Sequence, residues 1–160
     1  MGLRGWVARV CAANPCWVAA GLVLLCLAVY ANSLRNPFLF DDHSIIELDP
    51  RVQQCRVWDL LTGGYWHAPG TPPHYRPLVK ISYAIQWAIS HEPWTFRAVN
   101  LALHAGVCVV LYYLTLAVFE SFWAALAAGV VFAVHPVHTE ALNPIIGRAD
   151  IAVALGVLSA

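Results

Sequence analysis

Long uncharged apolar runs alternate with short polar stretches along this chain, and the length of each run decides whether it can cross a membrane. Residues 16–31, CWVAAGLVLLCLAVYA, carry no charge and follow Arg4 and Arg9. The run is longer than a usual signal-peptide core, Tyr30 stands where interfacial aromatics gather, and no convincing small-x-small cleavage site follows. It therefore reads as a transmembrane anchor, with the arginines placing residues 1–15 in the cytoplasm, although Arg35 on the other flank weakens the asymmetry. Residues 97–119 form a second span, roughly 34 Å long as a helix against a hydrocarbon layer of ~30 Å. Glu120 and Ser121 interrupt the pattern, and residues 122–134, FWAALAAGVVFAV, read as a short third span joined to the second by a tight hairpin. A fourth run occupies residues 149–160, and the sequence stops inside it.

Residues 78–90, LVKISYAIQWAIS, decide the topology, because a span here would move everything after it to the other side. The segment contains Lys80 and Gln86 and sets Leu78, Ile81, Ile85 and Ile89 at helical spacing, which predicts an amphipathic helix lying in the interface. A second interfacial helix is expected within residues 56–66, RVWDLLTGGYW. Residues 32–96 then form one loop on the outer or lumenal side, and residues 135–148 return to that side.

Composition agrees with this pattern: 60% of the 160 residues are hydrophobic and 11% charged, which marks a membrane protein. Net charge is zero and no basic cluster exists, so a nucleic-acid partner is set aside. The five cysteines include no C-x-x-C pair and are expected to be apolar packing residues, since their spacing does not group ligands as structural zinc sites need.

Candidate chemistry gathers in the polar stretches. Asp41 and Asp42 are adjacent just after the first span, and neighbouring side chains diverge on a helix or a strand, so one can face a cavity as a general base while the other caps the HSIIEL segment. Arg76, in HYRPL, can meet a lipid phosphate or snorkel to headgroups. In HPVHTEALNPIIGRAD, residues 135–150, Pro136 and Pro144 exclude a continuous helix, while His135, His138 and Glu140 suggest either a metal site or ordinary interfacial polar residues. Arg148 and Asp150 head an apolar run, where a charge must pair or face water, and Arg148 is also positioned to bind an anion. Asn100 and His104 share one face of the second span, as interhelical hydrogen-bonding residues do.

Taken together, FLFDDHSII, HYRPL, FRAVNLALH and HPVHTEALNPIIGRAD, in this order, resemble the N-terminal membrane region of the transmembrane and tetratricopeptide repeat-containing (TMTC) proteins over residues 32–160. The resemblance implies an all-α membrane protein, the N-terminal part of a multispanning GT-C glycosyltransferase of the endoplasmic reticulum, with three to four transmembrane helices and interfacial helices in the first lumenal loop. It implies protein O-mannosylation, in which dolichyl-phosphate-mannose donates mannose to serine or threonine hydroxyls of lumenal acceptors such as cadherins. The acidic pair, Asp41 and Asp42, falls at the catalytic position. Displacement at the anomeric carbon would be inverting, with an aspartate taking the hydroxyl proton. Arg148 or Arg76 would neutralise the departing phosphate, and His135, His138, Glu140 and Asp150 would support it. No metal or other cofactor is expected. The family's further spans and repeats are not in these 160 residues, so the chain is expected to be a fragment or truncated isoform, and catalysis by it alone is not expected. Two other classes compete: a non-catalytic membrane protein that acts through partners, and a small transporter using Asn100 and His104.

Overall fold

The computed structural model describes residues 16–66 and 74–160; Arg4, Arg9, Cys11 and the cytoplasmic placement of residues 1–15 lie outside the described residues. Those described form helices and helical turns and no strand. Helix α1 (Trp17–Tyr30) buries Val18, Leu22, Cys26 and Tyr30, one residue every turn, and continues into a 3-10 turn over Ala31–Arg35. A π-helical turn over His43–Glu47 follows, then three short helices, α2 (Pro50–Gln53), α3 (Val57–Thr62) and α4 (Pro77–Ile89). The remainder is α5 (Pro93–Phe119), α6 (Phe122–Val134), α7 (Thr139–Leu142) and α8 (Arg148–Ser159).

The apolar layer is built around α5, against which α1, α6 and α8 all pack. Pro93 opens this helix at a first-turn position where its missing N–H costs nothing, so it begins four residues before the apolar run at residue 97. It ends at Glu120, whose positive φ of 51° turns the chain, and the Ser121 hydroxyl then caps α6 by accepting from the Ala124 amide. Trp17–Arg35 and Pro93–Phe119 are each long and apolar enough to cross a membrane. The third expected span differs. Helix α6 has 13 residues, about 20 Å, and reaches spanning length only together with Pro136–Leu142, to which it is bent by 44°. The proline at 136 lacks an amide hydrogen and breaks the ladder there, giving a broken span or a re-entrant loop.

The second layer has its own core of Phe38, Ile45, Ile46, Val52, Leu60, Tyr83, Phe96 and Ile145. Helix α4 is two-sided: Lys80, Tyr83 and Ala84 are buried, while Leu78, Ile85 and Ile89 are exposed on its other side. Its 13 residues, about 20 Å, are too short to cross. Lys80 is not a snorkelling charge. Its Nζ donates to the Asp49 carboxylate and, at 2.8 Å, to the Tyr65 carbonyl. Asp49 also binds the Arg51 guanidinium through Nε and Nη2 and caps α2 by accepting from the Arg51 amide at 2.9 Å. One buried carboxylate thus joins α2, α4 and the Gly64–Tyr65 bend, which Arg51 Nη1 meets at 3.0 Å. Burial pushes the Asp49 carboxyl up, but Arg51 and Lys80 together hold it below its ordinary value.

Candidate functional site

Two polar stretches a hundred residues apart meet at the boundary between the layers. The first is the turn Leu39–Phe40–Asp41–Asp42. Phe40 has a φ of 43°, a left-handed conformation that bulky residues rarely adopt, and such strain often accompanies functional segments. Immediately after this twist the two aspartates part company: Asp41 is exposed and Asp42 is fully buried. Asp42 does not cap the following turn through its side chain. Its Oδ2 accepts from the Leu39 amide at 3.1 Å and its Oδ1 from the Ile146 amide at 3.0 Å. Burial pushes its carboxyl above the ordinary value, against the opposing pull of those amides and of Arg97.

Arg97 is the functional-looking residue that the sequence did not single out. It is buried, its Nη2 lies 3.6 Å from Asp42 Oδ2, and it donates to the carbonyls of Asn143, Asn36 and Pro37. A charge at the head of an apolar run must pair or face water, and the same signal that drew attention to Arg148 applied equally to Arg97. With Asn36 Nδ2 also 3.5 Å from Asn143 Oδ1, the turn is clasped to the second stretch, residues 135–150.

That stretch wraps around the Ile145 carbonyl, which accepts from Tyr83 Oη at 3.1 Å and Asn100 Nδ2 at 2.9 Å. Gly147 follows, where an added Cβ would stand 2.2 Å from the Ala141 carbonyl oxygen, so only glycine fits this close approach. Arg148 is then buried. Its Nε donates to Asn100 Oδ1 at 2.8 Å, Nη1 to Ser82 Oγ at 3.0 Å, and Nη2 to Gln86 Oε1 at 2.7 Å and the Phe96 carbonyl at 3.1 Å. The guanidinium carbon lies 4.6 Å over the Tyr83 ring. Every one of these partners is neutral, and among the described residues no carboxylate pairs with Arg148. It forms part of the wall of an apolar groove of about 510 Å³ between α4 and α5, with Ile85, Ile89, Trp94 and Val99. A cation held by neutral acceptors beside apolar walls suits a ligand with an anionic head and a hydrocarbon tail.

The other expected site residues do not converge there. Arg76 is exposed, its guanidinium 5.4 Å from the centroid of the Tyr65 ring. His135 is exposed and its Nδ1 accepts from the Val137 amide at 3.2 Å, while its carbonyl accepts from Tyr30 Oη at 2.9 Å. His138 packs against Phe132 and His104, at ring-centroid distances of 4.2 and 4.8 Å. Glu140 and Asp150 are exposed, and Asp150 does not pair with Arg148 among the described residues. His135, His138 and Glu140 therefore make no ligand cluster of their own. The cysteines, read as packing residues, do form one: Cys26, His104 and Cys108 are buried together.

No family model matches the chain, and no solved structure gives a significant match. Curated proteins do. The chain is 33% identical over 135 residues to "Protein O-mannosyl-transferase Tmtc2" of Drosophila melanogaster, covering 80% of this chain and 14% of that one. It is 33% identical over 136 residues to TMTC2 of Homo sapiens, at 81% and 16% coverage, and 34% identical over 155 residues to TMTC1 of Homo sapiens, at 92% and 18%. It thus spans about a sixth of the length of these relatives. With a third of its residues shared across most of its length and two helices fit to cross a membrane, the chain belongs to the TMTC family of membrane proteins.

Proposed function

We propose that these residues form part of the site of a protein O-mannosyl-transferase that moves mannose from dolichyl-phosphate-mannose to serine or threonine hydroxyls of lumenal proteins, in the multi-pass GT-C manner, at the endoplasmic reticulum membrane. The names of the relatives support the reaction class. The observation that carries the site is the Asp42–Ile146 clasp, which sets the acidic turn beside the stretch that holds Arg148.

Asp41, exposed after the Phe40 twist, is the base that accepts the acceptor hydroxyl proton. Asp42 and Arg97 lock that turn in place. As the sugar leaves, negative charge grows on the lipid phosphate, and a fixed cation beside an apolar groove stabilises it without reorganising. Arg148 supplies that charge, its orientation set by Asn100, Ser82 and Gln86, with the polyprenyl chain along the α4–α5 groove. Arg76 is a second, more exposed cation for the headgroup.

Transfer from radiolabelled dolichyl-phosphate-mannose to a serine- and threonine-rich acceptor, in membranes expressing the protein from its complete transcript, tests this. Arg148→Lys keeps the charge but cannot satisfy four acceptors with a planar fork, so kcat/KM for the lipid donor is expected to fall about tenfold. Transfer that does not depend on the lipid donor, or an unchanged kcat/KM in the variant, contradicts the reading.

A further inference from the structure

Inside the apolar layer, Cys26 from α1 meets His104 and Cys108 from α5, and the three donor atoms all lie within 4.8 Å of one another. Cys26 Sγ stands 3.5 Å from Cys108 Sγ, and Cys108 Sγ 3.8 Å from His104 Nε2. His104 and Cys108, four residues apart, share one face of α5, and all three side chains are buried. A tetrahedral zinc ion, with Zn–S near 2.3 Å and Zn–N near 2.0–2.1 Å, requires donor separations of about 3.8 Å for S···S and about 3.5 Å for S···N. Shifts of about 0.3 Å bring these two separations to those values, and the Cys26–His104 pair, no more than 4.8 Å apart, closes by at most about 1.3 Å.

We propose that Cys26, His104 and Cys108 bind a zinc ion that pins α1 to α5. Two features select this ligand. The donors are soft, two sulfurs and an imidazole with no carboxylate among them, which excludes magnesium and calcium. Charge balance then favours a dication: two thiols release two protons, the two thiolates cancel Zn²⁺, and the complex is neutral in a layer where net charge is costly, whereas a monovalent copper ion leaves one negative charge. His138, its ring centroid 4.8 Å from that of His104, supplies the fourth ligand after rotation. The ion is structural, and the transfer step does not need it. By fixing His138 it also steadies the start of the 135–150 stretch.

The test is metal analysis of the full chain purified in detergent without chelator. About one zinc per chain is expected, with Cys108→Ser and Cys26→Ser each lowering occupancy at least tenfold and Cys55→Ser, at an exposed position, leaving it unchanged. Cobalt exchanged into the wild-type protein is expected to give the intense thiolate-to-cobalt charge-transfer band, a readout that does not depend on any variant folding. Zinc-free protein with no cobalt band overturns the proposal. So does a Cys26–Cys108 disulfide, seen as a mass two hydrogens lower, or bound copper in place of zinc.

Discussion

Asp41→Asn is expected to lower mannose transfer by about a hundred- to ten-thousand-fold, the usual contribution of a positioned general base, with the amount and thermal stability of the protein unchanged. The exposed carboxylate makes no contact that holds the fold, so its loss is read in kcat alone. Asp42→Asn is expected to behave in the opposite sense. Its carboxylate takes two amide hydrogen bonds and faces Arg97, and an asparagine can neither accept on both sides nor balance that charge. A loss of about 3 kcal/mol of stability follows, with transfer falling only as folded protein falls. Transfer assays paired with thermal melts check both. Undiminished transfer in both variants removes the base from this turn, and a stable but inactive Asp42→Asn beside an active Asp41→Asn reverses the two roles.

Asp49→Ala is expected to cost about 3–5 kcal/mol, because it leaves Arg51 and Lys80 buried with no anion between them. The double variant Asp49→Ala with Lys80→Met, which also removes one of the stranded cations, is expected to recover part of that loss. The pH dependence has a definite sign. Asp49 is held below the ordinary carboxylate value of about 3.9, so its stabilisation is complete above that pH and is lost only as pH falls through the lower folded value. Melting temperatures of the wild-type protein in detergent should show no Asp49-dependent change between about pH 5 and pH 8. An Asp49→Ala variant as stable as wild type at neutral pH counts against the cluster.

Lys80 also shows how far the sequence could be read. A lysine inside a short apolar run was the reason to expect α4 in the interface, but its partner Asp49 lies 31 residues away and leaves no local pattern. The apolar runs located α1, α5, α6 and α8, because burial against lipid or neighbours needs only uncharged length. The break at Pro136 was legible as a missing donor, whereas the 44° bend that joins α6 to the following turns was not. The pair Asp41 and Asp42 was visible, and so was the fact that the two must diverge. Which of them faces out depends on the left-handed backbone at Phe40, a residue type that gives no warning of it. Likewise Cys26 and Cys108, 82 residues apart, look like isolated packing residues until α1 lies on α5.

On the proposed reading the acidic turn and residues 135–150 form one site on one face of the membrane. Asn36 and Asn143 report on it directly, since their side-chain amides are 3.5 Å apart and neither contributes to the proposed chemistry. A protein carrying Asn36→Cys and Asn143→Cys, treated in native membranes with a short, membrane-permeant bifunctional thiol reagent and digested for mass spectrometry, is the measurement. A high yield of the peptide cross-linked between positions 36 and 143 is expected. Absence of that peptide, while a control pair at Ser90 and Glu92 links efficiently, would mean that the two stretches do not meet, and the single-site account would be wrong.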